Sequence, residues 1–184
     1  LDKKIPYRWP LIIISYLAMS LTYSRSTYLS FLFSFLFIAI SQKKIKIFVL
    51  SFLIIILTIF VLPRKSGEGT KLERTSSIFA KIENYKEAFN LFKKSPIIGI
   101  GYNNLPIIRK ENPNSHAISG FDNSLLTILT TTGIIGLFMF IKGFSKFFLS
   151  VDLIKKTMII AILIHSFFAN SLLYPWILLS LVLY

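Results

Sequence analysis

The sequence lacks cysteine, and its 184 residues include only two histidines and only 8 acidic residues against 21 Lys and Arg. Without cysteine, neither a disulfide-stabilised domain nor a thiolate zinc site is possible. Neither histidine lies near a pair of carboxylates in the sequence, so no standard zinc or di-metal site is expected. Phosphate-binding P-loops and Gly-x-Ser-x-Gly elbows are absent as well. We therefore expect a protein that uses no metal and no cofactor.

Hydrophobic residues make up 54% of the chain, which also contains 18 Phe. This composition is too apolar for an ordinary soluble or disordered protein. The formal charge is +13, but the basic residues occur in short clusters between long uncharged segments and form no patch on a polar surface. This pattern predicts a polytopic membrane protein whose partner is a lipid bilayer, with no nucleic acid.

The uncharged segments approach the length of about 20 residues that crosses some 30 Å of hydrocarbon. The last run is interrupted by Asn170 and Pro175, which predict two short helices. The predicted spans are 9–24, 27–42, 47–63, 123–141, 157–169 and 172–184. We expect an all-α bundle of transmembrane helices, forming a single membrane domain over residues 1–184. Because the first residue is Leu1 and no signal peptide follows it, we also expect a longer protein with further spans upstream.

The basic clusters between the spans predict which way the helices face. Positively charged residues concentrate in short cytoplasmic loops, and three clusters occur at alternate membrane ends. They are Lys3, Lys4 and Arg8; Lys43, Lys44 and Lys46; and Lys142, Lys146, Lys155 and Lys156. With these clusters in the cytoplasm, Arg25 and the long loop 64–122 face outward.

The long loop contains a predicted amphipathic helix. Ile78, Ile82, Tyr85, Phe89 and Phe92 recur at spacings of four, three, four and three, which places them on one helical face. Hydroxyl residues from Thr75 to Ser77 can cap its start, and Ser95-Pro96 predicts its end. Gly99-x-Gly101 follows and is interpreted as a turn between helices.

Arg25 is the first candidate for a binding residue, because it lies among the hydroxyls of Thr22, Ser24, Ser26 and Thr27 at an outer helix junction. One interpretation is an arginine whose side chain reaches the membrane interface. The other is an anion site, since a guanidinium near hydroxyls and helix ends can hold a phosphate through two hydrogen bonds.

His116 and Asp122 lie just before the predicted span 123–141, on the same outer face as Arg25. Asp122 can be a helix N-cap together with Asn123, and His116 can be a solvated loop residue. Alternatively, either one can act as a general base. His165 lies within an apolar run, where we expect a neutral side chain that hydrogen-bonds to an Asn or Ser of a neighbouring helix.

Several short motifs occur in an order that resembles one known family over about residues 20–140. They are Thr22-Tyr23-Ser24-Arg25-Ser26, Lys81-x-x-x-Tyr85-x-x-Ala88, Ser95-Pro96-Ile97-Ile98-Gly99-Ile100-Gly101, Asp122-Asn123-Ser124-Leu125-Leu126 and Thr132-Gly133-Ile134-Ile135-Gly136. In this order and with an outward loop between spans, they resemble the C-terminal half of the O-antigen ligase and O-antigen polymerase family of bacterial membrane glycosyltransferases.

The resemblance implies transfer of a glycan from an undecaprenyl-diphosphate carrier to an acceptor saccharide or lipid, on the outer face of the bacterial cytoplasmic (inner) membrane. It implies that arginines hold the diphosphate and that a basic side chain deprotonates the acceptor hydroxyl. Arg25 matches the first arginine, and Lys81 occupies the position of the second, with Arg74 as a possible substitute. Asp122-Asn123 stands where the family often has His-Asn, so the base is either Asp122 or His116.

A second class of function is compatible with the same features. A membrane transporter or binding component for lipid-linked or anionic saccharide could use the outward cationic loop for binding alone. Formation of new glycosidic bonds distinguishes the enzyme from this alternative.

The orientation can be tested directly because the chain has no native cysteine. We predict that Ser66→Cys and Asn112→Cys, in the long loop, react with a membrane-impermeant maleimide in intact cells, whereas Ser41→Cys does not. Labelling of Ser41→Cys alone would reverse the topology and would remove the outward-facing site.

Overall fold

The computed structural model describes residues 7–63, 70–72, 75–109 and 120–183. All regular elements in these ranges are helices, so the all-α prediction is confirmed for the described part of the chain. The chain divides into two compact units, Leu1–Arg74 and Thr75–Tyr184. Two candidate residues, Arg74 and His116, lie outside the described residues.

In the first unit, the described ranges include three α-helices: α1 (Arg8–Ser20), α2 (Arg25–Ser41) and α3 (Ile45–Val61). Tyrosine hydroxyls connect the helices. The Tyr28 hydroxyl of α2 donates to the Ser20 carbonyl at the end of α1 at 2.6 Å, and the Tyr16 hydroxyl of α1 hydrogen-bonds with the Thr58 hydroxyl of α3. These polar contacts link helices that are rich in apolar side chains.

Helix α3 exposes large apolar side chains on most of its surface. They are Ile45, Val49, Leu50, Phe52, Leu53, Ile54, Ile56, Leu57, Phe60 and Val61. A helix that is apolar all round normally contacts lipid or other protein, because water disfavours so large an apolar surface.

Among the described residues, one helix, Ser124–Ser150, is long and apolar enough to cross a membrane by length and composition. Three shorter apolar helices are Trp9–Ser20, Arg25–Ser41 and Ile45–Val61. Helices of this shorter size cover at most about 25 Å of the roughly 30 Å hydrocarbon layer. The polytopic bundle with six spans and an outward loop therefore stays a prediction.

The described residues of the second unit form five α-helices and two short 3₁₀ turns. They are α4 (Ser76–Lys94), a turn at Tyr102–Asn104, α5 (Leu105–Arg109), α6 (Ser124–Ser150), α7 (Leu153–Ser166), a turn at Ser171–Leu173 and α8 (Pro175–Leu183). The apolar spacing in the long loop thus corresponds to a helix, α4. A small core of Ala88, Leu91, Leu105 and Phe121 joins α4, α5 and the segment before α6.

Helix α6 is broken at Gly133, and residues 96–101 fill the break. Gly133 has φ 68° and ψ −170°, far from helical values. The backbone groups that lose their helical partners pair with the inserted segment, as buried backbone requires. The pairs are Ile100 N to Thr130 O (3.0 Å), Gly101 N to Thr131 O (2.9 Å), Ile134 N to Pro96 O (2.9 Å) and Ile135 N to Ile97 O (3.3 Å). We call this arrangement the Gly133 interlock.

The interlock requires glycine on both sides, because both backbones approach closely and both residues have positive φ. Gly99 has φ 71°, and a Cβ there would lie 2.3 Å from the Thr131 carbonyl carbon. A Cβ at Gly133 would lie 2.2 Å from the Ile97 carbonyl oxygen. The turn expected at Gly99-x-Gly101 is therefore present, and it allows residues 96–101 to enter the break in α6.

We predict that Gly133→Ala destabilises the protein by roughly 1–3 kcal/mol or more, from backbone strain and the clash with Ile97. Gly143→Ala is the matched control, since a Cβ at Gly143 meets nothing within 4 Å in the same helix. That control should leave the melting temperature unchanged or slightly higher. Thermal unfolding in detergent measures both variants, and equal melting temperatures would contradict the interlock.

Candidate active site

The candidate site lies at the start of α6, where α4 and the end of α7 meet it. Asn123 is the N-cap of α6, with extended backbone and with its side-chain oxygen accepting from Leu126 N at 3.0 Å. The interpretation of Asp122 as the helix cap is therefore wrong. Asp and Asn are both good N-cap residues, but α6 begins at Ser124, so the cap position falls on Asn123. The Asp122 carboxylate therefore does not cap the helix.

The main chain of Asp122 is held by two side chains of α4. Its N–H donates to the Asn84 side-chain oxygen at 2.8 Å, and its carbonyl accepts from the Tyr85 hydroxyl at 3.3 Å. Neither bond uses the carboxylate, whose side chain is 51% exposed. The structure thus fixes the position of Asp122 and leaves its charged group accessible.

Lys81, one helical turn before Tyr85, supplies the positive charge next to this carboxylate. Its Nζ lies 3.6 Å from Asp122 Oδ2 and also donates to the Phe168 carbonyl. The Lys81 side chain is 31% exposed. Ion pairs that contact solvent contribute only about 0–1 kcal/mol to stability. A ligand can therefore separate Lys81 from Asp122 at little cost to the fold.

Three carbonyls that follow the end of α7 accept from the residues around Asp122. The Tyr85 hydroxyl and the Asn123 amide both donate to the Phe167 carbonyl, the latter at 3.4 Å. The Ser124 hydroxyl donates to the Ala169 carbonyl at 3.4 Å. Lys81 Nζ donates to the carbonyl of Phe168, the residue between Phe167 and Ala169. These contacts attach the segment that follows α7 to α4 and to the start of α6.

Tyr85 acts in this network as a hydrogen-bond donor. Burial raises the pKa of its hydroxyl, the hydrogen bond with Asn123 lowers it in part, and the negative charge of Asp122 raises it. The pKa of a tyrosine hydroxyl is already well above physiological pH, and the net change raises it further, so the Tyr85 hydroxyl keeps its proton. Tyr85 can therefore position neighbouring groups but cannot serve as the base.

Arg109 is a further residue of this region that the sequence analysis missed. Its Nε and Nη2 donate to the two carboxylate oxygens of Glu87 at 2.8 and 2.7 Å, and its Nη1 donates to the Gly120 carbonyl at 2.9 Å. The guanidinium also lies 4.9 Å from the centre of the Phe121 ring. Arg109 thus anchors the two residues before Asp122 to α4. No local pattern indicates a pair 22 residues apart.

Comparison with known proteins assigns the family. The family model described as O-antigen ligase matches residues 10–141, which is more than half of the chain. The protein belongs to the O-antigen ligase family. The matched range includes Arg25, Lys81 and Asp122, and it ends within α6.

Searches of curated proteins and of solved structures gave no match. As a member of this membrane-protein family, the chain has a glycosyltransferase-like function in O-antigen processing.

In this O-antigen ligase family member, Arg25 is the first residue of α2 and belongs to the first unit. Ser24 caps the helix, with its hydroxyl oxygen accepting from Thr27 N at 3.4 Å. The Ser24 and Ser26 hydroxyl oxygens are 2.9 Å apart. The hydroxyl-rich helix start predicted around Arg25 is thus present, and the proposed roles of Arg25, Arg74 and Lys81 in diphosphate binding stay predictions.

His165 lies outside the range that the O-antigen ligase family model matches. Its Nδ1 is hydrogen-bonded with the Ser171 hydroxyl. The partner is a serine, as expected, but it lies in the 3₁₀ turn Ser171–Leu173 and not in a neighbouring helix. Among the described residues, no group of three or more His, Cys, Asp and Glu could hold a metal ion.

We predict that Asn123→Ala lowers the stability of the protein by about 0.5–2 kcal/mol, because α6 loses its cap. Asp122→Ala, the neighbouring change, should cost less than about 1 kcal/mol, since it removes only a solvent-exposed ion pair. Thermal unfolding of the two variants in the same detergent measures the difference. A larger loss for Asp122→Ala than for Asn123→Ala would contradict this assignment of the cap.

Proposed function

We propose that this protein transfers or polymerises glycan from an undecaprenyl-diphosphate-linked donor onto an acceptor saccharide or lipid. The proposed location is the bacterial cytoplasmic (inner) membrane, which the chain crosses several times, with loop 64–122 on the outer face. The observation that carries the proposal is the pair of Lys81 and Asp122, 3.6 Å apart at the start of α6. This pair offers a carboxylate base next to a cation.

The proposed reaction is a direct displacement at the anomeric carbon of the donor. The base takes the proton of the acceptor hydroxyl, and the acceptor oxygen forms a bond to the anomeric carbon as the bond to the diphosphate oxygen breaks. The electron pair leaves with undecaprenyl diphosphate, and the configuration inverts. Each of these steps needs only a base and positive charge near the leaving group.

We propose Asp122 as the base and keep His116 as the second candidate. Three features support Asp122: its carboxylate is accessible, it does not cap α6, and Asn84 and Tyr85 fix its main chain. A base must be held within hydrogen-bond reach of the proton that it removes. An accessible carboxylate on a backbone held by two hydrogen bonds meets this requirement.

We propose that Lys81 neutralises charge on the leaving diphosphate, with Arg25 and Arg74 as further diphosphate ligands. An ammonium has three N–H donors. One of those of Lys81 goes to the Phe168 carbonyl and another points towards Asp122, so a further donor is available to a phosphate oxygen. Lysine acts here as a point charge, whereas Arg25 offers a planar fork that fits two phosphate oxygens.

We predict that Asp122→Asn in the full-length protein inserts and folds normally but loses at least about 100-fold in glycan transfer, the usual contribution of a general base. Asp152→Asn is the matched control. Asp152 caps α7 through Lys155 N at 2.9 Å, and Asn is an equally good cap, so its activity should be parental.

His116→Gln tests the second candidate in the same assay, which measures transfer from purified lipid-linked glycan. Loss of activity in this variant alone would assign the base to His116. Parental rates in both His116→Gln and Asp122→Asn would show that the proposed general-base mechanism is wrong.

A further inference from the structure

We propose that a groove along α4 binds the glycan chain of a substrate, next to the proposed base. The groove has a volume of about 580 Å³ and lies between α4 and α5, with Glu83, Asn84, Glu87, Lys94 and Arg109 among its lining residues. Pockets that hold small ligands usually measure about 300–1,000 Å³. The inference rests on the proposed function, and it assigns a part of the substrate to a surface outside the Lys81 and Asp122 pair.

The groove follows one face of α4 away from the pair. Glu83, Asn84, Glu87 and Lys94 are separated by one, three and seven residues, so they lie along one side of the helix. From Glu83 to Lys94 this side is about 16 Å long, at 1.5 Å per residue. An elongated polar groove of that length fits a short oligosaccharide better than a single compact ligand.

The charges in the groove are balanced. Glu83 and Glu87 provide two carboxylates, and Lys94 and Arg109 provide two cations. A sugar hydroxyl both donates and accepts hydrogen bonds, so a chain of hydroxyls can use carboxylates and cations side by side. A polyanion such as a diphosphate would meet the two carboxylates as well as the cations. The groove therefore favours an uncharged glycan.

Two of the charged groups remain available to a ligand. Within the described part of the chain, the side chains of Glu83 and Lys94 have no hydrogen bond or ion pair, and both residues are exposed. Glu87 and Arg109 satisfy each other through two hydrogen bonds. The groove thus combines a fixed pair with two free groups that can bind hydroxyls.

Two hydrogen bonds connect the wall of the groove to the residues around Asp122. The Asn84 side-chain oxygen accepts from Asp122 N at 2.8 Å, and Arg109 Nη1 donates to the Gly120 carbonyl at 2.9 Å. The same two side chains line the groove. A glycan in the groove would therefore lie next to the segment that carries Asp122, the proposed base.

The test uses full-length protein in nanodiscs and the double variant Glu83→Gln/Lys94→Gln, which leaves the net charge of the chain unchanged. The probe is the oligosaccharide that mild acid releases from the lipid-linked glycan of the native host. We expect the variant to bind this probe about tenfold more weakly by calorimetry, the loss expected for one hydrogen bond to a charged group. In the transfer assay we expect a higher KM with kcat unchanged.

Lys94→Gln alone has a matched control in the adjacent Lys93→Gln. Lys93 does not line the groove, and its Nζ lies 4.7 Å from the centre of the Phe89 ring. Lys94→Gln should weaken binding of the probe, and Lys93→Gln should leave both binding and transfer unchanged. A raised KM for the lipid-linked donor identifies the bound glycan as that of the donor, and a raised KM for the acceptor identifies it as that of the acceptor.

If the double variant binds the oligosaccharide and transfers glycan like the parent, the groove is not a glycan site, although the proposed function stands. Absence of probe binding by the parent, together with unchanged KM values in the double variant, would overturn the inference in the same way. If the parent binds the probe, the double variant does not, and no glycosidic bond forms with any acceptor, the groove is confirmed and the proposed function is wrong.

Discussion

The Gly133 interlock is the constraint on which the second unit depends. α4 ends at Lys94, and the segment that enters the break in α6 begins two residues later, at Pro96. Because there is so little chain between the two, the interlock holds the end of α4 against α6. Tyr85 and Lys81, three helical turns or so earlier in α4, then reach the start of α6. The pairing of Lys81 with Asp122 therefore follows from backbone hydrogen bonds at a distance from it.

Hydrogen bonds to the segment that follows α7 hold the residues around Asp122 in place, while the Asp122 carboxylate stays accessible to solvent. Tyr85, Asn123 and Ser124 direct neutral donors at carbonyls of this segment, so these contacts do not use the Asp122 carboxylate. The charged groups, Lys81 and Asp122, are the exposed ones. The proposed transfer depends on this accessible carboxylate, whose main chain is held by Asn84 and Tyr85.

The sequence predicted the elements that depend on local pattern. Apolar spacing from Ile78 to Phe92 predicted α4, and Gly99-x-Gly101 predicted a turn. It did not predict the break at Gly133, since small residues in an apolar run indicate close helix packing equally well. Nor could it decide between Asp122 and Asn123 as the cap, because both are good caps. The pair of Arg109 and Glu87 depends on tertiary contacts and has no local signal.

Formation of glycosidic bonds by the wild-type protein is the decisive test of the proposed glycan transfer. Full-length protein would be reconstituted in proteoliposomes with the lipid-linked glycan of its native host and an acceptor saccharide. We expect a lengthened or newly attached glycan, together with release of undecaprenyl diphosphate in equal amount. Movement of the lipid-linked glycan across the bilayer without any new bond would contradict it, and would assign the protein to transport.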